Sequence, residues 1–149
     1  MNAKGWIIVG SLLGAAGVAA GAIGAHGLRH AIEPVGGREA SPASLEQYHK
    51  RLDNYEVAVR YQMIHAPALV LVGLLLAPGR RNRALQLAGC FFLAGIVLFS
   101  GFLYAWVLLQ SRWLVHVVPI GGTALIAGWI AMAVGAARAG DQNADPSAA

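Results

Sequence analysis

The chain has 149 residues, enough for one domain, and is 57% hydrophobic but only 12% charged, with a mean hydropathy of +0.57. Soluble domains carry about a quarter charged residues, so this composition excludes an ordinary soluble globule and points to a membrane. The net charge of +4 is no signature of nucleic-acid binding, because the basic side chains lie between apolar stretches, where lipid headgroups and insertion rules account for them. A single cysteine, Cys90, rules out an intrachain disulfide.

The first element is the uncharged run Gly5–Leu28. Crossing the hydrocarbon takes about 20 apolar residues at about 1.5 Å each, and only a helix satisfies its own backbone there. A lysine, an apolar core and small residues near Ala20–Gly21–Ala22 also resemble a secretory signal, but the run exceeds the usual core of about 7–15 residues. The segment is therefore expected to stay as a span, which the intact mass of the mature protein checks. Gly10, Gly14, Gly17, Gly21 and Gly24 recur on one face of this helix. In lipid there is little hydrophobic drive between helices, so a face of small residues marks where another backbone comes close. The fourth span repeats the pattern with Gly121, Ala124, Gly128, Ala131 and Gly135. The two stripes predict that the first and fourth helices pack together, or that the first pairs with a copy of itself.

Loop one is irregular around Pro34, Gly36, Gly37 and Pro42. Ser44-Leu45-Glu46-Gln47 then matches a capping box, and Leu45, Tyr48, Leu52, Tyr55 and Val59 form a helical apolar stripe. Glu46–Lys50 and Glu56–Arg60 have the favourable i to i+4 order. A helix is expected from about Ser44 straight into the second span, with its first turns projecting or lying on the membrane surface as an amphipathic lead-in.

The remaining uncharged runs are Tyr61–Gly79, Ala84–Ser111 and Trp113–Ala137. The predicted spans are thus about 5–28, 57–78, 84–110 and 113–137. Pro78–Gly79 followed by Arg80–Arg81–Asn82–Arg83 makes a tight second loop, and Gln110–Ser111–Arg112 a tighter third, so helices three and four form an antiparallel hairpin. Residues 140–149 read as a disordered tail. Lys4, Arg80, Arg81, Arg83 and Arg138 fall on one side, against Arg29, Arg38, Lys50, Arg51, Arg60 and Arg112 on the other. The dense arginines of loop two favour both termini on the cytoplasmic side. Trp6, Trp106 and Trp113 fit interfacial belts.

Polar residues inside the spans are few: His26, Tyr61, Gln62, His65, Ser100, Tyr104, His116 and Thr123. Alternating span direction puts all of them in the half of the bilayer that faces loops one and three. Unpaired polar groups are costly in hydrocarbon, so they should turn inward and bond one another. Pro67 and Pro119 lie in the same half and free the carbonyls of Met63 and Val115. Together these features predict a polar pocket whose candidates are His26, Tyr61, His65, Ser100, Tyr104, Pro119 and Gly121. A three-histidine metal site with His116 has no ligand spacing behind it, and matched haem-ligand pairs are missing, so neither metal nor cofactor is expected.

Gly21-Ala22-Ile23-Gly24-Ala25-His26-Gly27-Leu28 resembles the GAFGAHGL signature of the domain of unknown function 423 family. Further matches are Tyr55-x-x-Ala58-x-x-Tyr61-x-x-x-His65-Ala66, Leu98-Phe99-Ser100-Gly101-x-Leu103-Tyr104, and Pro119-x-Gly121-Gly122 with Gly128-Trp129 after it. The resemblance implies a small bacterial inner-membrane protein of four spans, similar to eukaryotic transmembrane protein 256, with an uncleaved first span and no established biochemical role. Pro67 stands where the family reads leucine, and His116 is outside the family pattern.

The expectation is an all-α integral membrane four-helix bundle, antiparallel and up-down, with an amphipathic extension leading into the second helix. Its function is expected to be non-enzymatic: binding a small ligand or lipid in the polar half, or docking a partner membrane complex. The alternatives are a small transporter or channel and, third, a metal-dependent or redox membrane enzyme. Membrane lipids are the expected partners, with self-association or a larger membrane complex beside them and no nucleic acid.

Overall fold

The computed structural model describes residues 1–76 and 82–144, all of whose regular elements are helical. Four helices are long and apolar enough to cross a membrane. They are α1 (Ala3–Ala31), α2 (Pro42–Leu76), α3 (Arg83–Leu109) and α4 (Leu114–Ala144). The 35 residues of α2 reach about 52 Å at 1.5 Å per residue, well beyond the about 30 Å of hydrocarbon.

Local chemistry explains where these helices begin. Asn2 caps α1 by accepting from the Gly5 amide at 2.8 Å, and Asn82 caps α3 by accepting from Ala84 and Leu85 at 3.1 and 3.2 Å. The start of α2 differs from the expected capping box. Pro42 occupies the first helical position, where a missing amide hydrogen costs nothing, and Ser41 is the cap, its Oγ accepting from the Ser44 amide at 3.3 Å. Extension and second span are one continuous helix, as the stripe from Leu45 to Val59 requires. Its i to i+4 pairs are not what stabilises it: Glu56 reaches across to Arg29 at 3.4 Å instead of back to Arg60. The Pro78–Gly79 turn with Arg80 and Arg81 lies outside the described residues, as does 145–149. Up to Ala144 the last helix continues through the segment read as the start of a disordered tail; one glycine, Gly140, costs it only about 1 kcal/mol.

The spans pack in chain order, α1 on α2, α2 on α3 and α3 on α4. This corrects the expected pairing of the first and fourth helices. A Cβ on Gly10 would stand 2.7 Å from the Ala66 carbonyl, one on Gly17 2.7 Å from the Met63 sulfur, and the reciprocal Gly73 of α2 would meet the Ala3 carbonyl at 2.7 Å. Gly14 and Gly21 sit more loosely on the same seam, and Gly24 receives the Tyr55 ring. On α4 the stripe faces α3, with Gly128 against Phe92 and Gly135 against Leu85, while Gly121 is pressed on the Leu98–Phe99 backbone. Each stripe therefore serves a hairpin between sequence neighbours. The receiving surfaces on α2 and α3 mix large side chains such as Met63, Val70, Tyr55, Phe92 and Leu85 with a few small residues, Ala66, Gly73 and Gly95, that do not repeat as a stripe.

The core lies at the end nearer the termini: Trp6, Leu69, Val72, Leu85, Phe92 and Leu125 are buried between the helices. Trp6 is only 2% exposed, so it is a core residue and not part of an interfacial belt. Gly89 opens a slot on α3 for its indole, and the Gln86 Oε1 accepts from the indole nitrogen at 3.0 Å. Trp113, by contrast, is exposed. Two helices contain a widened π turn, Gly24–Leu28 in α1 and Ile96–Gly101 in α3, each inserting one residue into the helical ladder. Both fall in the half that holds the polar side chains.

Candidate functional site

α2 carries the polar groups that tie the bundle together. In its half nearer loop one the Tyr55 hydroxyl donates to the Ala20 carbonyl of α1 at 2.8 Å. Two turns deeper, the Gln62 amide nitrogen donates to the Leu13 carbonyl of α1 at 2.8 Å, while its oxygen accepts from the Tyr104 hydroxyl of α3 at 3.0 Å. One turn further, His65 meets α4: the Trp129 indole donates to its Nε2 at 3.1 Å. A single helix face thus bonds to all three other spans. Such bonds are worth about 0.6–2 kcal/mol each in a membrane, and they fix which neighbour sits where.

His65 illustrates why this cluster is structural. Its Nε2 accepts from an indole that can only donate, so the ring proton must sit on Nδ1, which donates to the Tyr61 carbonyl at 2.7 Å. The ring is buried, packed on Phe92 and Trp129 with centroids at 5.9 and 6.0 Å. No lone pair is left over for a metal or a substrate. Nitrogen-15 NMR should find His65 as the Nδ1-protonated tautomer, and Trp129→Phe should shift the Nε2 resonance; an Nε2-protonated ring in the wild type would refute this arrangement.

The other sequence candidates distribute as follows. Tyr61 is partly exposed; its ring lies tilted against Phe99 with centroids 4.3 Å apart and stacks on His65 at 5.9 Å. Tyr104 belongs to the Gln62 junction and leans on Tyr55 at 5.1 Å. Ser100 is 1% exposed within the π turn of α3, and its hydroxyl has no partner. Removing an unsatisfied buried hydroxyl removes its desolvation cost, so Ser100→Ala should raise the thermal midpoint, by about 0.5–1 kcal/mol in stability; a lowered midpoint would contradict the geometry. Pro119 is exposed and its carbonyl accepts from Thr123 at 2.9 Å, whereas Gly121 is a buried packing position. His26 and His116 are exposed, and His26 makes no side-chain hydrogen bond among the described residues. Gly24 faces Tyr55, and two residues further round the helix His26 points the other way. The histidines at 26, 65 and 116 are therefore not brought together, and no group of three potential metal ligands occurs among the described residues.

Two participants were missed as site residues, Gln62 and Trp129. Gln62 lies three positions before His65, on the same face. Trp129 sits far inside its span, where an indole nitrogen must find an acceptor, and that need was the available signal.

The open space at this end lies beside the cluster. A cavity of about 210 Å³ separates α1 from the loop-one half of α2, floored by Gly21, Gly24, Ala25, Leu52, Tyr55 and Val59 and rimmed by Arg29, Glu56 and Arg60. Arg29 is held by Glu56, while Arg60 has neither an ion pair nor a hydrogen bond among the described residues. A second, more polar cavity of about 390 Å³ lies across the α2 extension, beside Lys50 and Trp106. There Gln47 donates to Gln110, whose left-handed backbone (φ 58°) turns the chain at the end of α3. Arg51 anchors the same part of the extension by donating to the Val107 carbonyl at 3.0 Å.

The chain is 37% identical over 131 residues to the UPF0382 membrane protein SAB0533 of Staphylococcus aureus (strain bovine RF122 / ET3-1), covering 88% of this chain and 93% of that protein. It is 37% identical over 118 residues to a UPF0382 membrane protein of Haemophilus influenzae, with coverage of 79% and 82%. It is 34% identical over 135 residues to the UPF0382 membrane protein YwdK of Bacillus subtilis (strain 168), with coverage of 91% and 98%. No solved structure matches. The family described as protein of unknown function (DUF423) matches residues 20–122, a stretch running from the Gly24–Leu28 π turn of α1 to the glycines pressed against α3. With four membrane-crossing helices and relatives named as membrane proteins across most of its length, the chain is a multi-pass membrane protein and belongs to the DUF423 family.

Proposed function

We propose that the protein is a non-enzymatic protein of the bacterial cytoplasmic membrane that holds a bilayer amphiphile at its loop-one and loop-three end, in the groove between α1 and α2. The observation that carries this reading is the groove itself: an apolar floor of glycine, alanine, leucine, tyrosine and valine under a charged rim. The polar cluster beside it is supporting framework, because the side chains of Gln62, His65 and Tyr104 are engaged with one another or with neighbouring helices. Both termini lie in the cytoplasm on this reading, following the arginine density of loop two.

The test is native mass spectrometry from mild detergent. Wild-type protein should retain lipid, and Gly21→Leu, which fills the floor where only Val59 stands within 3.6 Å, should lose it while keeping its thermal midpoint. Gly27→Leu enters open space and should keep the lipid. Equal retention by wild type and Gly21→Leu would refute the groove. Orientation is tested in a Cys90→Ser background: a membrane-impermeant maleimide on intact cells should label Ser41→Cys and spare Asn2→Cys, and the reverse pattern would invert the topology.

A further inference from the structure

We infer that the groove between α1 and α2 selects a phospholipid with a net anionic headgroup, with Arg60 as the group that binds its phosphate. This rests on the amphiphile reading above and adds the chemical class. Three positive or negative side chains stand at the mouth, Arg29, Glu56 and Arg60, and they do not cancel. Glu56 lies 3.4 Å from Arg29, and both side chains are more than half exposed, so this pair holds the first arginine in place without removing the second. The mouth keeps one unit of positive charge, centred on Arg60. A guanidinium offers a planar fork that matches two phosphate oxygens, which a lysine does not.

The vertical order of the site fits a lipid. Arg29 follows directly on the first uncharged run and Arg60 precedes the second, so both stand at the membrane boundary. Gly21 lies eight residues before Arg29, about 12 Å deeper at 1.5 Å per residue, so charge is at the mouth and apolar surface beneath it. Gly21, where an added Cβ would meet only Val59 at 3.6 Å, leaves the space into which glycerol and the first acyl carbons fit. At about 210 Å³ the cavity is smaller than the about 300–1,000 Å³ that encloses a drug-sized ligand, which suits a molecule whose chains remain in the bilayer. A zwitterionic choline headgroup would bring its cation against two arginines with one carboxylate to answer them; a glycerol headgroup would not.

The experiment is native mass spectrometry of protein extracted from bilayers of equal phosphatidylglycerol and phosphatidylcholine. Wild type should retain phosphatidylglycerol with about tenfold preference, the scale of one charge-assisted contact. Arg60→Gln should reduce this to about twofold or less at an unchanged thermal midpoint, and Arg60→Lys should recover only part of it. Arg112→Gln removes the same charge from the same end of the molecule outside this groove and should change nothing. Lipid retained without headgroup preference, or a preference lost equally in Arg112→Gln, would overturn anionic selection while leaving amphiphile binding in place. Lipid retained by neither wild type nor Gly21→Leu would overturn both. Displacement of lipid by millimolar inorganic phosphate would reassign Arg60 to a soluble anion and refute the lipid source.

Discussion

Gly121→Ala is expected to lower stability by about 3 kcal/mol and to separate α4 from α3, because the added methyl has nowhere to go. Its Cβ would stand 2.6 Å from the Leu98 carbonyl carbon and still closer to the Phe99 amide. Both are backbone atoms inside the π turn of α3, so no side-chain rotation relieves the overlap. Gly128→Ala meets only the Phe92 ring, whose nearest atom is at 2.6 Å and can move, so its cost should be smaller. Gly27→Ala is the control: nothing lies within 4 Å of the new methyl, and the better helix former should leave stability unchanged or raise it by up to about 1 kcal/mol. Thermal midpoints in one detergent should therefore rank Gly27→Ala highest, then Gly128→Ala, then Gly121→Ala. A wild-type midpoint for Gly121→Ala would mean that α3 and α4 do not meet at this register.

Gln62→Leu should cost about 2 kcal/mol, since it keeps the volume but strands the Tyr104 hydroxyl in a part-buried junction. Tyr104→Phe alone should cost about 1 kcal/mol, because the Gln62 amide nitrogen keeps its bond to the Leu13 carbonyl. The double variant should be less destabilised than the sum, for it removes both ends of the 3.0 Å bond and leaves no orphan between those two side chains. Strict additivity in the cycle would show that Gln62 and Tyr104 do not interact, and the account of α2 as the tie between the spans would fail with it.

Much of the site was legible as depth and little of it as direction. Counting residues from the loops puts His26, Tyr61, Gln62, His65, Ser100 and Tyr104 in one half of the bilayer, and hydrocarbon forces such groups to find partners. Rotation about the helix axis is a separate matter. Gln62 and His65 turn inward because α2 is central, whereas His26 is on the outer side of a helix whose glycine face already lies against α2. A flanking helix has only one inward face, and in α1 the glycines occupy it. The start of α2 was legible to within two residues, yet the capping serine was misassigned: Ser44 carries the fuller motif, but Pro42 fits the first helical turn and hands the cap to Ser41.

The sequence by itself determined that the chain is helical, crosses a membrane four times, folds back at short loops and keeps its polar side chains toward one end. Each follows from a requirement that acts locally: an apolar run needs internal backbone bonding, a breaker ends it, and alternate spans reverse direction. Tertiary structure alone decided that the glycine stripes serve α1 with α2 and α4 with α3, that Trp129 completes His65, and that the open groove lies under Arg29 and Arg60. Those choices depend on how whole surfaces fit. A stripe of small residues says that some backbone comes close, but the partner is set by complementary bulk on another helix, which leaves no periodic mark in the sequence.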